Sequence, residues 1–80
     1  MIRLIVDPNS TSRVYPDYTP VLMQEIDDEI PTVGEAVLAV QPGEDGTAYV
    51  GDAIVAVIDE ENELIYLDVD WKSFRTEDED

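Results

Sequence analysis

Two short apolar runs on either side of an acidic turn constrain this chain more than any other feature. They lie within Ala48–Val69 (AYVGDAIVAVIDEENELIYLDV), around Asp59-Glu60-Glu61-Asn62. Ile54–Ile58 is rich in β-branched residues and too short for an amphipathic helix, and Leu64–Leu67 repeats that character, so the stretch reads as a β-hairpin. Asn62 suits the left-handed residue that closes a four-residue hairpin loop. Pairing Ile58 with Glu63 then sets Ala56 opposite Ile65 and Ile54 opposite Leu67. This register puts Ile54, Ala56, Ile58, Ile65, Leu67 and Val69 on a core face. The other face carries Val55, Val57, Leu64 and Tyr66 before it turns acidic at Asp68 and Asp70, so part of it also needs cover. That requirement predicts a second layer or a closed barrel.

The other segments supply strands to such a sheet. Met1–Val6 reads as a first strand with Ile2, Leu4 and Val6 inward, Arg3 outward and Ile5 partly covered. Pro16 and Pro20 argue against a helix in Thr11–Pro20, leaving a loop or edge strand around Arg13–Tyr15, with Tyr15 and Tyr18 over the wall of the sheet. Val21–Ile26 fits either a short strand or a single helical turn. Gly34 marks a turn, Ala36–Gln41 an interior strand, and Pro42-Gly43 and Asp45-Gly46 turn the chain back. Gly51 is expected at a bulge or bend. Asp70–Phe74 fits a 3₁₀ turn that closes one end of the core with Trp71 and Phe74. The expected fold is mostly β: a small barrel or curled antiparallel sheet of about five strands, with at most one short helical turn. One domain covers residues 1–75, and 76–80 form a disordered acidic tail.

Composition narrows the function. Eighty residues make one small domain, which buries only about 60% of the surface its unfolded chain exposes. With one Phe and one Trp in a chain that is 44% hydrophobic, the core must be built from Val, Ile and Leu. Cysteine and histidine are both absent, which removes disulfides, the usual zinc ligands, the commonest general base and most nucleophilic triads. Carboxylate pairs such as Asp68-x-Asp70 lack the glycine-containing loop that a calcium site needs, and a chain this small has little room for a catalytic cleft. The expectation is a protein that is no enzyme and uses no cofactor and no metal. The first residues lack the basic and apolar regions of a signal peptide, and no apolar run nears the roughly 20 residues that span a bilayer. A soluble, cytoplasmic protein is expected.

Charge is the most unusual quantity, with 20 acidic residues against four basic ones and a formal net charge of -16. Arg3, Arg13, Asp7 and Asp17 cancel, so the whole excess falls beyond residue 24. It gathers in Glu25/Asp27/Asp28/Glu29, Glu44/Asp45, Asp59/Glu60/Glu61/Glu63 and Asp68/Asp70. Such a field rejects nucleic acid and anionic membranes and attracts basic partners over about a Debye length, roughly 8 Å at physiological salt. A solvated acidic surface, or adaptation to a salty interior, explains any one of these groups by itself. Several groups held rigidly together would instead imitate a phosphate backbone.

Val33–Phe74 resembles the small SH3-like barrels and, among them, Tudor-type domains. The resemblance is carried by Val33-Gly34-Glu35-Ala36-Val37-Leu38-Ala39, the Asp45-Gly46 turn, Tyr49 and Val55, and Asp68-Val69-Asp70-Trp71. It implies an aromatic cage for methylated Lys or Arg, with Tyr49, Tyr66 and Trp71 in the cage positions. Lys72 stands where that family has its closing glycine. In size, charge and lack of catalytic residues the chain also resembles the DNA-mimic inhibitors of phages and mobile elements, anti-restriction and anti-CRISPR proteins among them. That likeness implies a non-catalytic protein, monomer or dimer, that occupies the nucleic-acid-binding surface of a basic partner such as a CRISPR or restriction protein. Its contacts would be Glu25, Asp27, Asp28, Glu29, Asp59, Glu60, Glu61, Glu63, Asp68 and Asp70, with Tyr66 and Trp71 as apolar anchors. An SH3-like or Tudor-like adapter for basic or methylated peptides, and a structural domain from an acidic proteome, are the alternatives.

Overall fold

The computed structural model describes residues 2–26, 29–43 and 46–77. One sheet holds six strands: β1 (Arg3–Ile5), β2 (Thr19–Leu22), β3 (Ala36–Pro42), β4 (Ala48–Asp59), β5 (Leu64–Val69) and the short β6 (Arg75–Thr76). Their order is β1-β3-β4-β5-β2, with β6 paired to β4. The mostly β, curled sheet expected from the sequence is therefore the fold, with two refinements. β1 runs parallel to β3 while the other pairs are antiparallel. Two 3₁₀ turns occur, Met23–Glu25 and Trp71–Ser73, where at most one was expected. Val21–Ile26 thus supplies both of its alternatives, a strand end and then a turn. Among the described residues β1 and β2 do not pair with each other, so the sheet curls without closing. Their facing ends share a cleft of ≈ 250 Å³ lined by Ile5, Val6, Val21 and Leu22.

The concave face holds the core. Leu4 and Val6, Val21, Val37 and Ala39, Ala53 and Val55, and Ile65, Leu67 and Val69 form one buried cluster, with Ile2, Ile58 and Phe74 packed against it. Each large aliphatic among them contributes about 1.5–3 kcal/mol by leaving water. β3 is interior as expected, paired with β1 on one side and β4 on the other. Ile5, expected to be partly covered, lies on the convex face of the edge strand and is 64% exposed.

The β4–β5 hairpin forms, but its register differs from the expected one. Asp59 pairs with Leu64, Ile58 with Ile65 and Val55 with Leu67, and the register slips between Val55 and Val57. The extra residue, Ala56, is a β-bulge, which reverses the inward phase along β4. Ile58 and Val55 therefore both turn inward, while Ile54 turns out and is 52% exposed. The loop also closes one residue later than expected. Glu63, not Asn62, takes the left-handed conformation (φ 56°). Asn62 is used differently: its backbone amide and Nδ2 both donate to the Asp59 carboxylate, at 3.2 and 2.8 Å.

Two glycines answer specific demands. Gly34, at φ 90°, is the third residue of a turn in which the Glu35 amide donates to the Thr32 carbonyl at 3.1 Å, a type II geometry that needs a positive φ there. Gly51, expected at a bulge or bend, pairs in regular register with Ala39, and the bulge of β4 falls at Ala56. Gly51 is small because the Phe74 ring lies on it: a Cβ would sit 2.4 Å from Phe74 Cδ1.

The second face is covered in patches, as the apolar hairpin required. Pro20, Tyr66 and Val57 lie in one cross-strand row, and Tyr15 packs on Tyr66 with ring centroids 4.7 Å apart. Val40 and Val50 form a second row, both buried. Two residues placed in the expected tail, Thr76 and Glu77, are held against the sheet. Thr76 pairs with Tyr49 in β6, the Glu77 amide donates to the Ala48 carbonyl, and the Glu77 carboxylate forms an ion pair with Arg3. A strand partner and a cation hold in place what composition alone marks as free.

Candidate functional site

Acidic side chains far apart in sequence meet at one end of the sheet. Leu22 pairs with Leu64, and the Met23 amide donates to the Glu63 carbonyl at 2.9 Å. The first 3₁₀ turn, with Glu25, is thereby fixed beside the hairpin loop with Asp59, Glu60, Glu61 and Glu63. Glu25, Glu60, Glu61 and Glu63 are all exposed, and Glu29, also exposed, follows a few residues after the 3₁₀ turn. Asp27 and Asp28, as well as Glu44 and Asp45, lie outside the described residues. The bonds from Asn62 hold the Asp59 carboxyl below its ordinary pKa, the Nδ2 bond contributing most.

Asp68 lies near the other end of β5 and Asp70 just past it, about 17 and 23 Å from Glu63 at the usual rise per strand residue. They join a residue that the sequence reading left out. The Asp70 amide donates to the Asp52 carbonyl at 2.9 Å, and the Asp52 amide donates to Ser73 Oγ at 2.7 Å. Ser73 Oγ in turn donates to the Asp70 carbonyl at 2.6 Å, and the Lys72 amide caps onto Asp70 Oδ1 at 3.2 Å. The second 3₁₀ turn is thus bolted to β4, which fixes Asp52 and Asp70 relative to each other. Ile54 follows Asp52 on the same face of β4 and sits directly across from Asp68, its cross-strand partner. The result is a shallow groove of ≈ 340 Å³ on the convex face, lined by Ala36, Asp52, Ile54, Asp68 and Asp70. Asp52 and Ile54 carried a signal, the Asp52-x-Ile54 alternation, which the expected hairpin register hid by turning Ile54 into the core.

The aromatic residues divide differently from expectation. Tyr66 is 5% exposed beneath Tyr15, so it serves the covered part of the convex face and offers no anchor to a partner. Trp71 is 44% exposed and stacks on Phe74 at 5.2 Å with an interplanar angle of 15°. Tyr49 is partly exposed. Ring contacts among the described residues link Tyr15 to Tyr18 and Tyr66, and Trp71 to Phe74. None of these ring contacts joins Tyr49, Tyr66 and Trp71 to one another.

Few cations stand against the carboxylates. Among the described residues the ion pairs are Arg3 with Glu77, and Arg75 with Asp52 at 3.8 Å. The bond from Arg3 holds the Glu77 carboxyl below its ordinary value and raises the guanidinium. Among the described residues no three acidic side chains stand close enough to hold a metal ion, and no helix is long and apolar enough to cross a membrane. No protein-family model matches the chain, and no curated protein or solved structure matches it.

Proposed function

We propose that this protein is a non-catalytic acidic interaction protein that occupies the nucleic-acid-binding surface of a basic partner, in the manner of a DNA mimic. The observation that supports this most is the Met23–Glu63 hydrogen bond, which sets Glu25 beside Glu60, Glu61 and Glu63 on a rigid rim. Asp68 and Asp70 continue the negative surface along β5. Duplex DNA carries one charge per roughly 1.7 Å of axis, and a protein that neutralises such phosphates with Arg and Lys accepts carboxylates held at fixed separations. A defence protein that handles foreign nucleic acid, of CRISPR or restriction type, is a partner of the required chemistry. Trp71 supplies the exposed apolar contact.

The test is affinity capture from host lysate followed by competition with excess DNA. Capture of nucleic-acid-binding proteins that DNA displaces supports the reading. Partners that bind no nucleic acid, or that stay bound under excess DNA, overturn it. The double charge reversal Glu60→Lys with Glu61→Lys is expected to weaken capture and flatten its salt dependence. Glu63 is left intact in that variant because its backbone closes the turn.

A further inference from the structure

We propose that the convex-face groove is a seat for one arginine side chain, its methylenes over Ile54 and Ala36 and its guanidinium between Asp68 and the Asp52/Asp70 pair. The inference refines the function proposed above, since the arginine would come from the basic partner, but it is tested without that partner. Three observations carry it. On the convex face Tyr66, Val40 and Val50 are buried and Leu38 and Val57 half-buried, whereas Ile54 is 52% exposed at the centre of the groove. Carboxylates flank that isoleucine on two sides, Asp68 directly across the strand pair and Asp52 two residues along β4. The Ser73 bridge holds the far side rigid.

An apolar floor with carboxylates on two adjoining sides matches one side chain best. Arginine has a long apolar stem, a weakly hydrated planar head and five donors that reach acceptors on two sides at once. Lysine brings a compact, strongly hydrated charge that satisfies one carboxylate at a time. Asp52, Asp68 and Asp70 also repel one another. Among the described carboxylates Arg75 pairs with Asp52, at the exposed rim, and its other contact is the Ser73 carbonyl, so a guanidinium in the groove relieves a repulsion that this pair leaves standing.

The experiment is an NMR titration of the ¹⁵N-labelled protein with acetyl-Gly-Arg-Gly-amide and with the Lys and Gln counterparts. The Arg peptide is expected to shift the amides of Asp52, Ile54 and Asp68 saturably, with a Kd on the order of millimolar. The Lys peptide should bind roughly threefold more weakly or worse, and the Gln peptide should not bind. Asp52→Asn with Asp68→Asn is expected to weaken the Arg peptide about tenfold, from two exposed charge contacts. Glu60→Gln with Glu61→Gln removes the same charge at the hairpin loop and should leave the peptide affinity unchanged. Ile54→Asn separates the apolar floor from the charge and should weaken Arg more than Lys. Equal affinities for Arg and Lys, shifts spread over every acidic loop, or equal losses from the two charge-neutral pairs would overturn the seat. A dimer in sedimentation that Ile54→Asn dissolves would assign the groove to a second copy and overturn it too. Arginine binding without any DNA-displaceable partner leaves the seat standing and removes the DNA-mimic reading; the reverse pattern does the opposite.

Discussion

The two faces of the sheet solve the same problem in opposite ways. The concave face buries a continuous run of side chains from five strands, with Ile65 and Leu67 fully enclosed. On the convex face Tyr66 is buried beneath Tyr15 at one end and Val40 and Val50 are buried at the other, while Ile54 between them stays 52% exposed. The difference shows where the chain spends its apolar residues on stability and where it leaves one open beside carboxylates. A small domain with about 60% of its surface to bury has little margin, so an uncovered isoleucine on a central strand is a costly place to be indifferent.

The largest expected effect tests that contrast directly. Leu67→Ala should cost about 2–5 kcal/mol in urea denaturation, whereas Ile54→Ala should stay within about 0.5 kcal/mol. Comparable losses would mean that the convex face is as much a core as the concave one. Gly51→Ala drives a methyl into the Phe74 ring and is expected to cost about 1–3 kcal/mol, with a matching fall in the denaturation midpoint and altered Trp71 fluorescence as the Phe74 stack shifts. An unchanged midpoint would show that Phe74 yields freely. Tyr15→Ser removes the lid from Tyr66 and is expected to lower Tm by about 4–8 °C, for a loss near 1 kcal/mol. Faster amide exchange should follow in β2 and β5 and leave β3 unaffected.

The smallest effect sharpens the comparison at the hairpin loop, which belongs to neither face. The Asp59 carboxyl titrates below its ordinary value because Asn62 donates to its ionised form. Its stabilising contribution is therefore present above the unfolded carboxylate pKa and is lost as pH falls through the lower folded value. Asn62→Ala should move the Asp59 titration, followed by carboxyl ¹³C shifts, back up towards the ordinary carboxylate range. The acid limb of the stability profile should then begin at higher pH. No movement of Asp59 would show that the loop does not depend on Asn62.

Much of this architecture was legible in the sequence, and the misses share a cause. The hairpin, the interior strand at 36–42, the 3₁₀ turn at Trp71 and the tyrosines over the sheet wall all follow from local composition and spacing. The inward phase of β4 does not, because a bulge adds one residue and every later side chain changes sides without any change in the residue pattern. That slip hid Ile54 and Asp52, and with them the groove, although Asp68 and Asp70 were singled out. The acidic end was legible only in pieces. Glu25 and the Asp59–Glu63 loop meet through β2–β5 pairing across more than half of the chain, and a distant pairing leaves no mark in a local window. The expected anchor Tyr66 is covered by Tyr15, which arrives from far upstream.

That same distant pairing fixes an order of assembly. β3, β4 and β5 are joined by short connections and form a meander that can nucleate within one stretch of sequence. β1 and β2 each need a partner that does not exist until the meander has formed, and each must close a long loop to reach it. The meander should therefore be structured in the folding transition state and the two edge strands late, with Val37 and Leu67 slowing folding when truncated and Leu4 and Val21 chiefly accelerating unfolding. The acidic rim, which depends on β2 docking against β5, would then be the last part of the molecule to acquire its shape.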